Sequence, residues 1–219
     1  MQSSIILTLN ARMASSSFLT IIIPILSDIF VFSYPLYLIY LYFFSHDKLS
    51  RRSQLRNTSS NRLYKYQALT IFFWFIWSIL INYSIKFFVE EQRPYQVINL
   101  LINPKESLIL STIPTDSFPS DHAAVGMVIA LSVLIIWYRT QDKKKITIWR
   151  LFLVFALIMD ISRITIGVHR PSDIIAWSFI GAVVAIIMTL PTVYQRLTTT
   201  ISDPLITIQE WIFEKIRMR

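Results

Sequence analysis

The sequence predicts an all-α membrane protein, a polytopic bundle of five or six transmembrane helices. Of its 219 residues, 54% are hydrophobic and only 16% are charged, and the mean hydropathy is +0.52, far from the balance of a soluble domain. Several apolar runs approach the twenty or so residues that a helix needs to cross the hydrocarbon core. Because these runs occupy most of the chain, residues 1–219 are expected to form a single membrane-embedded domain.

The first apolar stretch, residues 18–44, is interrupted by two prolines and by Asp28. We therefore expect residues 1–28 to form an interfacial or re-entrant segment, and the first span to run from about residue 29 to residue 44. A hairpin in this stretch would raise the number of spans from five to six. Asp28 could serve the function or lie at an interface, and the sequence leaves both alternatives open.

Four further apolar runs are predicted to complete a transmembrane core over residues 29–194: 67–89, 123–138, 151–167 and 174–194. Lysine and arginine cluster in alternate connections, namely 46–66, 139–150 and the tail after 194. Such clusters mark the cytoplasmic side of a cell membrane, so the intervening loops are expected to face outward. This topology accounts for the net charge of +8, and no nucleic acid partner is expected.

The tail, residues 195–219, has a helical periodicity of apolar residues at Leu205, Ile208, Trp211, Ile212 and Ile216. Basic residues between them could meet anionic headgroups, which favours an amphipathic helix on the membrane surface. A frayed basic end explains the same composition.

The outward segments contain basic residues, which the topology alone does not explain. In "KFFVEEQRP", Lys86 and Arg93 are seven residues apart, so they would share one face of a continuing helix. Taken alone, this pair could be two cations that snorkel at a helix end.

The second outward segment, "SFPSDHAAVGM", leads from a polar loop into an apolar run. Pro119 fits the first position of a helix, so the free N–H groups of Ser120, Asp121 and His122 would lie in the first turn and could bind an anion. An ordinary capped helix start with an interfacial histidine is the simpler explanation of this stretch in isolation.

The third outward segment, "SRITIGVHRPSD", contains His169 just before a helix start at Pro171. Asp173, four residues on, could accept a hydrogen bond from one imidazole nitrogen and leave the lone pair of the other for a substrate. Arg163 could reach the same point from the end of the preceding span. The third histidine, His46, belongs to the basic loop on the opposite side and is expected to be structural.

The three segments together predict phosphoryl transfer. Lys86, Arg93, Arg163 and the N–H groups at Ser120 and Asp121 would neutralise a phosphate and its transition state. His169 would attack phosphorus, while His122 would protonate the departing oxygen and later deprotonate the hydrolytic water. No metal or other cofactor is expected, because cations supply the charge, cysteine is absent, and no carboxylate cage for Mg²⁺ is present.

These segments resemble, in order and spacing, the three-part signature of the type 2 phosphatidic acid phosphatase superfamily. The resemblance rests on Lys86 with six residues before Arg93-Pro94, on Pro119-Ser120-Asp121-His122, and on Ser162-Arg163 with five residues before His169 and three more before Asp173. It implies an all-helical membrane fold with the active site within 86–173, at the outer end of the helices, and metal-independent lipid phosphatase activity.

One position departs from the most common form of the signature, which has glycine where this chain has Asp121. The aspartate is similar to that of bacterial undecaprenyl diphosphate phosphatases, and it favours an isoprenoid diphosphate as the lipid substrate. Phosphatidate, phosphatidylglycerophosphate, sphingoid phosphate and lipid A are the alternatives. A catalytically silent lipid-binding or transport protein is the alternative from another class, against which the His169 and Asp173 pair argues.

Overall fold

The computed structural model describes residues 2–44, 54–89, 91–102, 117–118, 120–141 and 143–217. Within these ranges the chain is helical and forms no strand, which confirms the predicted fold class. The helices are α1 (Gln2–Ala14), α2 (Ser17–Ile29), α3 (Ser33–Ile39), α4 (Gln54–Lys86), α5 (Pro94–Val97), α6 (Asp121–Thr140), α7 (Lys143–Thr165), α8 (Pro171–Thr189), α9 (Pro191–Leu197) and α10 (Asp203–Arg217).

The first apolar stretch differs from the prediction, because it is one helical run from Ser17 to Phe44. A 3-10 turn at Phe30–Phe32 joins α2 to α3, and a π-helical turn at Tyr40–Phe44 ends the run. The start predicted at about residue 29 therefore falls inside a continuous stretch. Neither proline ends the helical run. Pro24 lies inside α2, and Pro35 lies in the first turn of α3, where a missing N–H is least harmful.

Four helical stretches in the described part of the chain are long and apolar enough to cross a membrane: Ser17–Phe44, Arg62–Lys86, Asp121–Thr140 and Pro171–Thr189. Helix α7 contains the remaining predicted run, 151–167, except for its last two residues, and its 23 residues extend about 35 Å, a sufficient length. The count of five or six spans stays a prediction. Large apolar side chains cover the outside of these helices, for example Phe179 at 69% exposure, as a lipid-facing surface requires.

Helix α6 is central, because α4, α7 and α8 all pack against it. Helix α8 approaches it closely at Gly181, where an added Cβ would lie 2.5 Å from the carbonyl oxygen of Ala124. A buried cluster next to this contact consists of Ala123, Ala124, Ile174 and Trp177. The small residues let the two backbones approach, which is typical of helix pairs in membranes.

Helices α4 and α7 run antiparallel to α6 and α8, so the carboxyl ends of α4 and α7 meet the amino ends of α6 and α8. Lys86 at the end of α4 contacts Asp121 at the start of α6. At the opposite end, the Arg139 guanidinium of α6 donates to the carbonyl of Thr189, the last residue of α8. All three predicted motif segments therefore lie at one end of the bundle.

Helix α10 packs against the opposite end through its polar face. Arg62 Nη2 donates to Glu210 Oε2 at 2.6 Å, and Tyr42 Oη donates to Gln209 Oε1 at 2.6 Å. The five apolar residues predicted to share one face of this helix are all exposed: Leu205, Ile208, Trp211, Ile212 and Ile216. Its location on the membrane surface stays a prediction that this arrangement favours.

Candidate active site

Lys86 and Arg93 reach the site end of the bundle from two different elements. Helix α4 ends at Lys86, and Arg93 is the residue before α5, so the prediction of a continuing helix was wrong. Pro94 disfavours helical backbone at the residue before it, and Arg93 is accordingly extended, with φ −69° and ψ 144°. Lys86 Nζ lies 3.1 Å from Asp121 Oδ2, whereas Arg93 is 3% exposed and donates from Nη1 to the Val168 carbonyl at 3.0 Å.

Helix α6 begins at Asp121, two residues later than predicted from Pro119, which lies outside the described residues. Ser120 is the N-cap, and its Oγ accepts a hydrogen bond from Ala123 N at 3.4 Å. The serine hydroxyl therefore caps the helix, as serine commonly does at this position. The N–H groups of Asp121 and His122 lie in the first turn, where the helix itself supplies no carbonyl partner, so the amino end of α6 is suited to an anion.

His169 lies between α7 and α8 and is almost fully buried, at 2% exposure. Its Nδ1 is 2.6 Å from the main-chain carbonyl oxygen of Ser117. A carbonyl can only accept, so Nδ1 bears the hydrogen and Nε2 keeps its lone pair. This is the tautomer that the proposed nucleophile requires.

The predicted hydrogen bond from His169 to Asp173 is replaced by an indirect connection. Asp173 Oδ2 lies 4.0 Å from His169 Nδ1, and it instead accepts from Ser117 Oγ at 2.8 Å. Asp173 also accepts from Arg170 N at 2.8 Å, which caps α8. The carboxylate thus positions Ser117, and the Ser117 carbonyl orients the imidazole.

Ser117 is a site residue that the sequence analysis missed. It is completely buried, and its N–H donates to the Glu91 carbonyl at 2.6 Å. The serine precedes the recognisable Pro-Ser-Asp-His segment and has no periodic pattern or charge. Only the fold shows that its carbonyl faces His169.

Burial lowers the pKa of His169 well below its ordinary value, and the nearby cations Arg163 and Arg93 act in the same direction. The hydrogen bond to the Ser117 carbonyl opposes this shift without reversing it. His169 is therefore neutral at neutral pH, with a lone pair on Nε2. A neutral imidazole of this kind has the lone pair that a nucleophile requires, and two guanidinium groups lie near it.

Arg163 and His122 meet at Asp28, the residue whose role the sequence left open. Arg163 Nη1 donates to Asp28 Oδ1 and to the Ser27 carbonyl at 3.3 Å. His122 Nε2 lies 3.2 Å from the same Asp28 oxygen. The first transmembrane stretch thus contributes a buried carboxylate to the end of the bundle where the motif segments meet.

The turn after α7 is held by glycine and by the amino-terminal helix. Gly167 has φ +68°, and its carbonyl accepts from Tyr95 N at 3.0 Å. From α1, Asn10 Nδ2 donates to the Thr165 carbonyl at 2.9 Å and to the Ile102 carbonyl at 3.0 Å. These bonds join α5 and the segment after it, residues 98–102 (the α5 loop), to the end of α7. The α5 segment follows Arg93, and the end of α7 precedes His169.

The described ranges contain no group of three histidine, aspartate or glutamate side chains that could hold a metal ion. Chemistry without a metal stays a prediction for the assays below. His46, the histidine expected to be structural, lies outside the described residues.

Residues 63–196 match the PAP2 superfamily, over more than half of the chain. The chain belongs to the PAP2 superfamily. The resemblance seen in the sequence is thereby confirmed, and the matched region contains all the predicted site residues: Lys86, Arg93, Ser120, Asp121, His122, Arg163, His169 and Asp173. Asp28 and Asn10 lie outside it.

One PAP2 relative is an undecaprenyl-diphosphatase of Sulfolobus acidocaldarius, 30% identical over 118 residues. The alignment covers 52% of this chain and 50% of the relative, so the chain spans about half the length of the curated relative it matches. No solved structure matches the chain.

Proposed function

We propose that the protein is an integral membrane lipid phosphatase that hydrolyses a lipid phosphate ester or diphosphate through a phosphohistidine intermediate. One observation supports the proposal above all: His169 is buried, with Nδ1 held by the Ser117 carbonyl at 2.6 Å, which leaves the lone pair on Nε2. Membership of the PAP2 superfamily supports the same class of reaction. A buried histidine with one orientated nitrogen is suited to attack on phosphorus.

In the first step, the lone pair of His169 Nε2 forms a bond to phosphorus as the bond from phosphorus to the leaving oxygen breaks. His122 donates a proton to that oxygen. The positive charge that develops on the His169 ring lies 4.0 Å from the Asp173 carboxylate, which stabilises it. Arg93, together with the free N–H groups of α6, would neutralise the equatorial oxygens.

In the second step, His122 takes a proton from a water molecule, whose oxygen attacks the phosphoryl group on His169. The bond between phosphorus and Nε2 breaks, and inorganic phosphate leaves. His169 returns to its neutral form, and His122 regains the proton it lost in the first step. The cycle is balanced without an external acid, base or metal ion.

The substrate class we propose is undecaprenyl diphosphate or a related isoprenoid diphosphate. The name of the Sulfolobus acidocaldarius relative supports it, as does the aspartate at position 121. Asp121 is partly exposed and pairs with Lys86 at 3.1 Å, and a second phosphate group of the substrate would compete with this carboxylate for the ammonium. Phosphatidate, phosphatidylglycerophosphate and lipid A are the alternative substrates.

The proposal is tested by phosphate release from purified protein in detergent with EDTA present. Undecaprenyl diphosphate and phosphatidate are compared side by side, with His169→Ala as the blank. We expect release that EDTA does not reduce, that is faster from the isoprenoid, and that His169→Ala abolishes. Folded wild-type protein that releases phosphate from neither lipid would contradict phosphatase activity and favour a binding or transport role.

We also propose a cell membrane location with the site facing outward, because basic residues concentrate at the opposite end of the bundle. The chain has no cysteine, so single introduced cysteines report their own side unambiguously. Asn99→Cys lies at the site end and Gln195→Cys at the other, and both positions are exposed. A membrane-impermeant maleimide added to intact cells should label Asn99→Cys alone, and labelling of Gln195→Cys alone would reverse the orientation.

A further inference from the structure

Asp28 comes from the first transmembrane stretch and precedes residues 63–196, over which the chain matches its superfamily. Its Oδ1 accepts from Arg163 Nη1 and lies 3.2 Å from His122 Nε2. A buried carboxylate is costly unless an opposite charge and hydrogen bonds compensate for the lost water. Arg163 supplies that charge, so Asp28 is held here as a carboxylate rather than as a carboxylic acid.

The contact with Asp28 defines which nitrogen of His122 faces the substrate. An ionised carboxylate only accepts hydrogen bonds, so His122 Nε2 bears the hydrogen in this contact. Nδ1 is then the nitrogen that can exchange a proton. His169 has the opposite arrangement, with Nδ1 held by the Ser117 carbonyl and Nε2 left for phosphorus.

We propose that Asp28 is a positioning residue for His122 and that it stabilises the protonated imidazole that serves as the general acid. In the first step, the Nδ1 proton passes to the leaving oxygen as its bond to phosphorus breaks, and His122 becomes neutral. In the second step, Nδ1 takes a proton from water, and the positive charge returns beside Asp28. This inference rests on the proposed phosphatase activity.

A different role for the same carboxylate would be purely structural. Asp28 could serve only to neutralise the buried Arg163, which also donates to the Ser27 carbonyl at 3.3 Å. Loss of the carboxylate would then disturb phosphate binding whichever leaving group the substrate has. Protonation by His122 matters only where the leaving oxygen needs a proton, so the nature of the leaving group distinguishes the two roles.

The test compares Asp28→Asn with wild type on two substrates in detergent with EDTA. Short-chain phosphatidate releases an alkoxide, which requires a proton, whereas p-nitrophenyl phosphate releases a phenolate that is stable without one. The value of kcat/KM depends on the steps from substrate binding up to and including the departure of the leaving group. We expect Asp28→Asn to lower kcat/KM for phosphatidate by about 10²-fold, at the lower end of general acid catalysis, and to leave that for p-nitrophenyl phosphate nearly unchanged.

The ratio of the two kcat/KM values does not depend on how much of the variant is folded, so a poorly folded variant still decides the question. Asp28→Asn in a His122→Ala background should leave the ratio unchanged, because the acid is already absent. Asp28→Glu, which keeps a carboxylate, should retain part of the wild-type ratio that Asp28→Asn loses. Asp160→Asn, at a second buried carboxylate one turn before Arg163, is the matched control and should keep the wild-type ratio.

Equal losses on both substrates, or a ratio unchanged by Asp28→Asn, would overturn the proposal and leave Asp28 as the partner of Arg163 alone. Failure of the proposed function gives a different result, because the wild-type protein would then hydrolyse neither phosphatidate nor p-nitrophenyl phosphate.

Discussion

Replacing Asp173 with asparagine removes a negative charge while keeping the shape of the side chain. The amide oxygen can still accept from Ser117 Oγ and Arg170 N, both at 2.8 Å from the native carboxylate. What is lost is the attraction to the positive charge that forms on His169, whose Nδ1 is 4.0 Å away. Two unit charges at this distance interact by about 4 kcal/mol at an effective dielectric constant of about 20.

This loss appears only as His169 gains charge, so it should fall on the chemical step rather than on binding. We expect kcat to fall by about 10³-fold in Asp173→Asn, because each 1.36 kcal/mol or so corresponds to a factor of ten. KM should change little. The measurement is steady-state phosphate release with thermal unfolding recorded on the same preparation.

Ser117→Ala is the informative comparison, since it removes the hydroxyl that links Asp173 to the loop but keeps both charges and the carbonyl that faces His169. We expect about a tenfold loss of kcat, the effect of one hydrogen bond. A kcat for Asp173→Asn within tenfold of wild type, in a folded protein, would refute the electrostatic role assigned to this carboxylate.

Three further predictions concern stability, each measured as a change in Tm in detergent. Gly181→Ala should lower the free energy of unfolding by about 1–3 kcal/mol, because the new methyl would lie 2.5 Å from the Ala124 carbonyl oxygen. Gly126→Ala should lower it less, because that methyl meets side-chain atoms no closer than 3.0 Å. Equal shifts in Tm would contradict the close packing of α6 and α8. Because the pKa of buried His169 is lowered, the unfolded chain binds a proton that the folded protein does not. Stability should therefore fall as the pH drops below about 6.5, by up to about 1.4 kcal/mol per pH unit. The stability of His169→Asn should depend less steeply on pH. Asn10→Leu should cost about 2 kcal/mol or more, because it leaves buried peptide groups of the α5 loop and α7 without partners, and an unchanged Tm would show that α1 does not secure the site.

The helical class and the residues of the candidate site could be predicted from the sequence because both depend on local signals. Apolar runs of spanning length predict membrane helices whatever their packing. Histidine, lysine and arginine near apolar helix ends indicate function, because a charge there is costly without a partner. The spacing of Arg163, His169 and Asp173 could be recognised because these polar residues lie at such helix ends.

The partners of those residues could not be predicted, since they depend on how separate helices meet. Spacing alone pairs Asp173 with His169, one turn of helix away, but the fold inserts Ser117 between them. Asp28 was recognisable as unusual, yet only the packing of α2 against α7 brings it to Arg163 and His122. Long-range contacts of this kind leave no periodic pattern in a single sequence.

The boundary errors have a similar origin. Residues 18–44 were divided at about residue 29 because prolines on either side weaken a helix locally, but the helical run continues, and α2 and the 3-10 turn pack against α7. Pro119 was taken as the first residue of α6, whereas Ser120 caps the helix, which begins two residues later than predicted, at Asp121. Side-chain capping and tertiary packing therefore outweigh proline as a predictor of where a helix starts or stops.

The central claim is that His169 becomes phosphorylated, and mass spectrometry of the intermediate tests it most directly. The His122→Ala variant is mixed briefly with p-nitrophenyl phosphate in EDTA, so that the leaving group needs no proton but the hydrolytic water lacks its base. The sample is quenched in alkali, in which phosphohistidine survives. The account predicts a burst of nitrophenol and a phosphoryl group on the peptide containing His169. A burst with the phosphoryl group on another residue, or nitrophenol release with no phosphorylated peptide, would contradict it.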